Sequence, residues 1–348
     1  MTDPNRYAAP ILARACQKRL EQAGAAPQDA AQTVRALLHG SMLGTDSHGV
    51  RLIGYYADML ENGGVNRHPD RHFVRTAPAT GRYDADFGLA HAASYDAMDH
   101  AVALARQSGI GAVTVHRSTH YGAGGAYALP AAEQGFVALV LSNSDPAVAL
   151  AGGRGAFHGT NPIAMAAPVR GRRPWLLDMA TSSIPFNRVK LFRSLGLTLD
   201  PDVALDEEGH PTRDAHRARV LQPLGGTAFG HKGAALAGVV TILSAILSGA
   251  DPDPVMASTS DAQTGRARQN VGHIMLAIDP ARFIGQEAFE SEMDRYLALL
   301  HESPGTEAAH PPRAPGDIEW AHFDARSEHG IPVDPDTERF LGLSPRSE

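Results

Sequence analysis

Between residues 90 and 278, short apolar runs alternate with longer stretches of helical spacing, and this alternation constrains the fold more than any other feature of the chain. Residues 110–115, 136–141, 161–166, 175–178 and 273–278 are short runs bounded by turn-forming or polar residues, so each is predicted as a buried strand. Residues 92–105, 124–134 and 287–300 are predicted as helices. Strands interleaved with helices imply an α/β or α+β fold: a mixed sheet flanked by helices. The first 65 residues lack the strand pattern. Residues 10–23, 31–43 and 51–60 read as helices there, the last stopped by Asn62-Gly63-Gly64. The polar stretch 44–49 joins two of them, in a connection where side chains are free to face a cleft.

No generic nucleotide fingerprint accompanies this pattern. Gly109-Ile110-Gly111 precedes a strand and has Thr114 where G-x-G-x-x-G needs its third glycine. Gly152-Gly153-Arg154-Gly155 has strands on both sides, and no G-x-x-x-x-G-K-[ST] occurs. The net charge of −7 comes without a basic stripe interleaved with aromatics, so nucleic acid is not an expected partner. The single cysteine, Cys16, rules out an internal disulfide framework and is expected to be a buried structural thiol, which suits a cytoplasmic setting. The opening residues lack the basic and apolar regions of a secretory signal. Residues 233–250 carry no charge and as a helix would span about 27 Å. Their three glycines, two serines and one threonine favour a fully buried helix of a soluble protein over a membrane span. The segment 196–219 is polar and rich in turns and is expected to be a surface excursion. The tail from His310 starts as an extended segment on Pro311, Pro312 and Pro315.

Four polar clusters could carry chemistry. In Asp46-Ser47-His48 with Arg51, a histidine could move a proton, a neighbour could orient its ring, and the arginine could clamp a carboxylate. The bland alternative is a capped helix start with solvated side chains. The run His116-Arg117-Ser118-Thr119-His120-Tyr121-Gly122-Ala123-Gly124-Gly125 follows a strand and opens a helix, where backbone N–H groups favour phosphate. Its two histidines straddle a strand end without the further ligands a metal site needs, so no metal is expected. Asp178-Met179-Ala180 ends another strand, where an acidic residue either holds ribose hydroxyls or caps a turn. Gly230-His231-Lys232 places two cations at the expected start of the uncharged helix, an awkward arrangement unless an anion is nearby.

Taken in order and spacing, these segments resemble the malate/L-lactate dehydrogenase family of the second type, distinct from the Rossmann malate and lactate dehydrogenases. The resemblance runs nearly end to end. It is carried by Asp46-Ser47-His48-Gly49-Val50-Arg51-Leu52, Ser118-Thr119-His120-Tyr121-Gly122, Gly159-Thr160-Asn161-Pro162, Asp178-Met179-Ala180-Thr181-Ser182, Pro223-Leu224-Gly225-Gly226 before His231-Lys232-Gly233, Pro315-Gly316-Asp317 and His329-Gly330-Ile331-Pro332. It implies a non-Rossmann α/β fold that moves a hydride between NAD or NADP and a small 2-hydroxy or 2-keto acid. By the same resemblance His48 is the proton donor with Ser47 as partner, Arg51 the carboxylate clamp and Thr160 a second substrate contact, while Asn187, with Phe186, lines the substrate pocket. His120, Tyr121, Gly122, Ala123 and Gly124 resemble the cofactor loop, and in some members the histidine matching His120 is the acid–base group. Asp178, Met179, Ala180, His231 and Lys232 resemble further cofactor contacts, and the stretch from Arg313 to Gly316 a closing segment. The family pattern implies a homodimer. It also implies a helical substrate and dimer region, 1–80, joined by the tail 310–348, around a cofactor domain, 81–309. Cyclic-imine carboxylate reduction, a metal-dependent hydrolase and a non-catalytic sensor remain as rivals. An aspartate expected near Arg188 in imine-reducing relatives is not present.

Overall fold

The computed structural model describes residues 5–306 and 311–343. The remainder, including His310 and the last five residues of the tail, lies outside the described residues. Strand β1 (Arg6–Tyr7) leads into helices α1 (Ala9–Gln22) and α2 (Pro27–Met42), each with a proline in its first turn, where the missing N–H costs nothing. Two 3-10 turns, Asp46–His48 and Val50–Leu52, are separated by an extended Gly49 and feed α3 (Ile53–Asn62). Leu12, Leu20, Leu37, Ile53, Met59 and Leu60 from these helices form one buried cluster with Tyr7 and Ile331. At about 1.5–3 kcal/mol per buried large apolar side chain, that contact outweighs the weak intrinsic preference of short helices.

Strands β2 (His72–Ala77) and β3 (Thr80–Asp84) form a hairpin. Then come α4 (Ala90–Ser108), β4 (Ile110–Ser118), α5 (Gly125–Glu133) and β5 (Val137–Ser142). Strands β6 (Val148–Ala149), β7 (Ala156–His158), β8 (Ile163–Ala167) and β9 (Trp175–Met179) follow. Next are α6 (Phe186–Leu195), β10 (Ala204–Leu205), β11 (Val220–Leu221), α7 (Gly226–Thr241) and α8 (Thr259–Gln263). The chain closes with β12 (Val271–Ile278), α9 (Gln286–His301), α10 (Asp317–His329), β13 (Ile331–Pro332) and α11 (Pro335–Leu341). The main sheet has seven strands in the order β2-β3-β4-β12-β5-β8-β9. Only β3 and β4 run parallel within it; the other neighbours are antiparallel. This is a mixed sheet with no Rossmann crossover order.

Alternation along the strands sends Val113, Val115, Ala138, Val140, Met275 and Ala277 into a core shared with α4 and α5. Leu139, Leu141 and Ile274 point to the opposite face, where Val240 and Leu243 cover them. Gly111 is required by close approach: a Cβ there would lie 2.0 Å from the carbonyl oxygen of Ala101 on α4. β1 pairs with β13, tying the N-terminal helices to the tail.

Two expectations are corrected. The uncharged helix begins at Gly226, earlier than read, and continues past Thr241 as a π-helical turn, Ile242–Ile246. It is long and apolar enough to cross a membrane by length and composition, but it is not fully buried. Its inner stripe packs on the sheet, whereas Phe229, Leu236, Val239, Ile242, Ile246 and Leu247 are 40–60% exposed. Absence of charge marked the segment as apolar; which stripe is covered depends on the neighbours. The polar segment 196–219 is also more than a surface excursion. It supplies β10 to a small four-stranded sheet, β10-β11-β6-β7, and buries Leu199, Val203, Ala204, Ala215 and Ala218 in an apolar cluster of its own.

Candidate active site

Strands β4, β5 and β9 end, and β8 and β12 begin, along one edge of the main sheet. There the sheet faces the 3-10 turns that precede α3. The space between is a cavity of about 200 Å³, lined by Thr45, Ser47, His48, His120, Tyr121, Gly122, Ala123, Ser142, Asn143, Ser144, Thr160, Pro162, Asp178, Met179, Ala180 and Pro185.

Local backbone devices aim the two histidines. Asp46 makes a two-pronged pair with Arg326 of α10, which also donates to the Ser41 carbonyl, so the first 3-10 turn is anchored away from the cavity. Ser47 and His48 are thereby left to face it. Near the end of β4, Ser118 pairs with Val271 but Val115 with His273, so β4 carries an extra residue. Arg117 sits in this bulge at φ +51°. Its guanidinium is held by Asp84 and Asp86, and its N–H donates to Asn270 Oδ1 at 2.7 Å. A bulge of this kind bends its strand, and here it turns the Thr119–His120 segment into the cavity. Gly122, at φ +76°, then completes a turn that a side chain would strain.

The rings of His48 and His120 lie 5.6 Å apart between centroids and are tilted by 30°. Ser47 Oγ is 2.9 Å from His48 Nδ1, and Tyr56 Oη is 2.7 Å from His120 Nδ1. With each Nδ1 engaged by a hydroxyl, each Nε2 is left open to the cavity. Burial pushes the His48 imidazole down to about 4. It drives His120 well below the ordinary histidine range, helped by His48, His91 and His273 nearby. Both rings are therefore neutral at pH 7.

Beneath them, Tyr121 stacks on His273 at 4.7 Å, and His273 bridges Ser142 and Ser118 at 2.8 Å on each side. Asp178 Oδ2 accepts from the Gly125 N–H at 2.8 Å, capping α5 from another strand, and burial pushes its carboxyl up to about 6. Thr160 is fixed through its neighbours. Its N–H donates to Ser144 Oγ, and adjacent Asn161, at φ +39°, donates to buried Asp253 at 2.7 Å. Burial acts to raise the Asp253 carboxyl, but hydrogen bonds from His158, Asn161, Asn143 and Thr241 outweigh it and hold the group below its usual range.

Most of the residues expected at the site converge: Ser47, His48, His120, Tyr121, Gly122, Ala123, Thr160, Asp178, Met179 and Ala180 all line the cavity. Others do not. Arg51 lines a separate depression with Asp334, Asp336 and Phe340. The extended Gly49 breaks the three-residue 3-10 repeat that would have set Arg51 above His48. None of the residues lining the cavity is Lys or Arg. Gly124 caps α5 outside the cavity, and Asn187 leans on the Asp46–His48 turn, its amide 3.4 Å from the Ser47 carbonyl. His231 and Lys232 are exposed in the second turn of α7, not at its start, so the awkward charge placement inferred for them does not arise. Arg313 and Gly316 precede α10 beside β9, where the Leu176 N–H reaches the Pro315 carbonyl. The segment before α7 is tied to the chain just after β9, where the Leu224 N–H donates to the Thr181 carbonyl at 2.8 Å. Thr45, Ser142, Asn143, Ser144, Pro162 and Pro185 complete the wall and were given no site role from the sequence. Ser142-Asn143-Ser144 had a readable signal, a polar run directly after an apolar strand.

A nicotinamide cofactor fits this wall. Tyr121-Gly122-Ala123 and the end of β9 line it with two residues of small or no side chain, Gly122 and Ala123, beside two imidazoles able to act on an adjacent oxygen.

A mixed, non-Rossmann sheet thus carries two neutral imidazoles at the ends of its strands, beside the Tyr121–Ala123 turn and the end of β9. The chain belongs to the malate/L-lactate dehydrogenase family, whose profile matches residues 8–341. It is 35% identical over 329 residues to malate dehydrogenase of Pyrococcus abyssi, covering 90% of this chain and 87% of that protein. The solved malate dehydrogenase of Pyrococcus horikoshii OT3 superposes with a TM-score of 0.88 at 31% identity, covering 99% of this chain and 98% of that one. The Δ1-piperideine-2-carboxylate reductase of Pseudomonas syringae pvar. tomato gives 0.86 at 28% identity, covering 97% and 99%. As a member of this family, the chain is an NAD- or NADP-linked oxidoreductase of small hydroxy and keto acids.

Proposed function

We propose that the chain interconverts a small 2-keto acid and its 2-hydroxy acid at this cavity, with His48 as proton donor and Ser47 holding its ring. The carrying observation is the pair of imidazoles, His48 and His120, each engaged at Nδ1 and open at Nε2 in one cavity. A bound nicotinamide cofactor supplies or accepts the hydride. Tyr121 to Ala123 and Asp178 to Ala180 would hold this cofactor, with His231, Lys232 and Arg313 as further contacts outside the cavity. Thr160 and the Ser142–Ser144 segment contact the acid. In this reading residues 1–80 and the tail 310–348 present the acid–base turn, and 81–309 hold the cofactor. Its support is the apolar cluster that gathers the N-terminal helices and tail with Leu89 and Ala262, while the β2–β3 hairpin across the 80/81 boundary pairs with the main sheet. A cytoplasmic setting belongs to the same proposal, supported by the buried free thiol of Cys16.

The test follows the reduced-nicotinamide absorbance with NADH or NADPH across a panel of 2-keto acids and cyclic imines. Oxidation with a keto acid is expected. Activity confined to cyclic imines would replace this reading with imine reduction, which the likeness to the piperideine-2-carboxylate reductase supports. Cofactor binding without turnover on any compound would favour a sensor.

The protein is further proposed to act as a homodimer. The support is the outward stripe of α7, where Phe229, Leu236, Val239, Ile242 and Ile246 form one apolar face. Light scattering should give twice the chain mass for the native protein and a monomer for Ile242→Glu combined with Ile246→Glu. A native monomer would refute the assignment.

A further inference from the structure

Behind His120 lies a second layer of side chains that the proposed reaction leaves without a role. Tyr56 of α3 is fully buried, as is His91 of α4. Their rings meet edge to face at 4.6 Å between centroids. Thr33 Oγ1 of α2 is 3.2 Å from His91 Nδ1, which fixes that ring and with it the plane of the phenol. Side chains of three helices thus pack in one chain, Thr33 on His91 and His91 on the Tyr56 ring.

A buried phenol gains by directing its proton to an acceptor, because leaving it unpaired costs about 1–3 kcal/mol. His120 Nδ1, at 2.7 Å, is the only hydrogen-bond partner of Tyr56 Oη among the described residues. His91 Nε2 and the His48 carbonyl face the same small space above Gly122, but neither makes a hydrogen bond to the phenol. The O–H therefore donates to His120 Nδ1. That nitrogen is then the acceptor, and the single proton of the neutral ring resides on Nε2.

We infer that Tyr56 is a positioning residue for His120: its phenol fixes the ring's orientation and its Nε2–H tautomer, so that a neutral imidazole presents a hydrogen-bond donor to the substrate oxygen in the cavity. The inference rests on the proposed function for the identity of that oxygen, but the tautomer itself does not depend on turnover. Burial keeps His120 uncharged, so tautomer choice decides whether the ring offers the cavity a donor or a lone pair. His48 would act beside it as the proton source, and the two rings would meet the same oxygen with different tasks.

The test reads the tautomer directly. Long-range proton–nitrogen correlation on protein labelled with ¹⁵N-histidine, with His120 assigned by loss of its signals in His120→Asn, should show a protonated Nε2 and an unprotonated, accepting Nδ1. In Tyr56→Phe the His120 signals should move toward a tautomer mixture. With the best substrate of the panel, kcat should fall on the order of tenfold or more while KM for the reduced cofactor holds. A protonated Nδ1 in the native protein overturns the inference even if the variant does not fold. A folded Tyr56→Phe with an unchanged tautomer overturns it as well. A correct tautomer in a protein inactive on every keto acid would uphold this geometry and count against the proposed reaction instead.

Discussion

Replacing His48 with alanine is expected to lower kcat for the preferred keto acid by about 10²–10⁴-fold, with little change in affinity for the reduced cofactor. The imidazole borders the cavity, yet no hydrogen bond from its side chain reaches the Tyr121–Ala123 turn; among the described residues its one hydrogen-bond partner is Ser47. The loss should therefore fall on the proton-transfer step. The pH dependence sharpens this. In the free protein burial holds His48 at about 4, so it is neutral at pH 7. Among the described residues no Lys or Arg lines the cavity to meet a substrate carboxylate. A carboxylate placed beside His48 favours the charged ring and raises its pKa. Keto acid binding should then take up a proton. Affinity should be highest at low pH and weaken as pH rises through the His48 pKa of the complex. Calorimetry in two buffers of different ionisation enthalpy measures that uptake, which should vanish in His48→Ala. Full activity in His48→Ala with a dead His120→Ala would move the proton donor to His120.

Asp253→Ala should destabilise the protein by about 3–5 kcal/mol and, where it still folds, raise KM for the acid. The Asp253 carboxylate is wholly buried and accepts from Asn143, Asn161, Thr241 and the Gly159 N–H, with His158 Nδ1 at 3.0 Å. Removing it strands these donors and releases the Gly159–Asn161 segment that carries Thr160. Because the folded carboxyl sits below its ordinary value of 3.8, its contribution is fully present above that value. It is lost as pH falls through the lower folded value. Acid unfolding of Asp253→Asn should consequently lose part of the pH dependence seen in the native protein below about pH 4. Denaturant titrations at pH 7 and in that acid window check both statements. An Asp253→Ala protein as stable as the native one would show that the network is not required.

Most of the regular structure was legible because local rules and tertiary packing agree. Gly63 and Gly109, both at positive φ, end α3 and α4 where the helical spacing stops, and the β-branched run at 110–115 lies within β4. Where the two levels diverge, the sequence misleads. Arg51 lies three residues from His48, and continuous 3-10 geometry would have stacked the two. The extended Gly49 separates them, and its conformation depends on packing beside Ser41, where a Cβ would lie 2.1 Å from the Ser41 Oγ. His231 and Lys232 were read at a helix start because a charge-free run begins at Gly233. The helix in fact starts at Gly226.

The sequence by itself determined the class of fold, the family, and the residue types gathered at the cavity, because periodicity, turn residues and motif order are properties of neighbours along the chain. Only the tertiary structure decided which of those residues meet. It set Tyr56 from α3 against His120 from the end of β4, bound Asp46 to Arg326 across 280 positions, and sent Arg51 to another surface. The reason is physical. Contacts between distant segments depend on the sheet order, the bulge in β4 and the packing of helices on both faces. No local spacing encodes those.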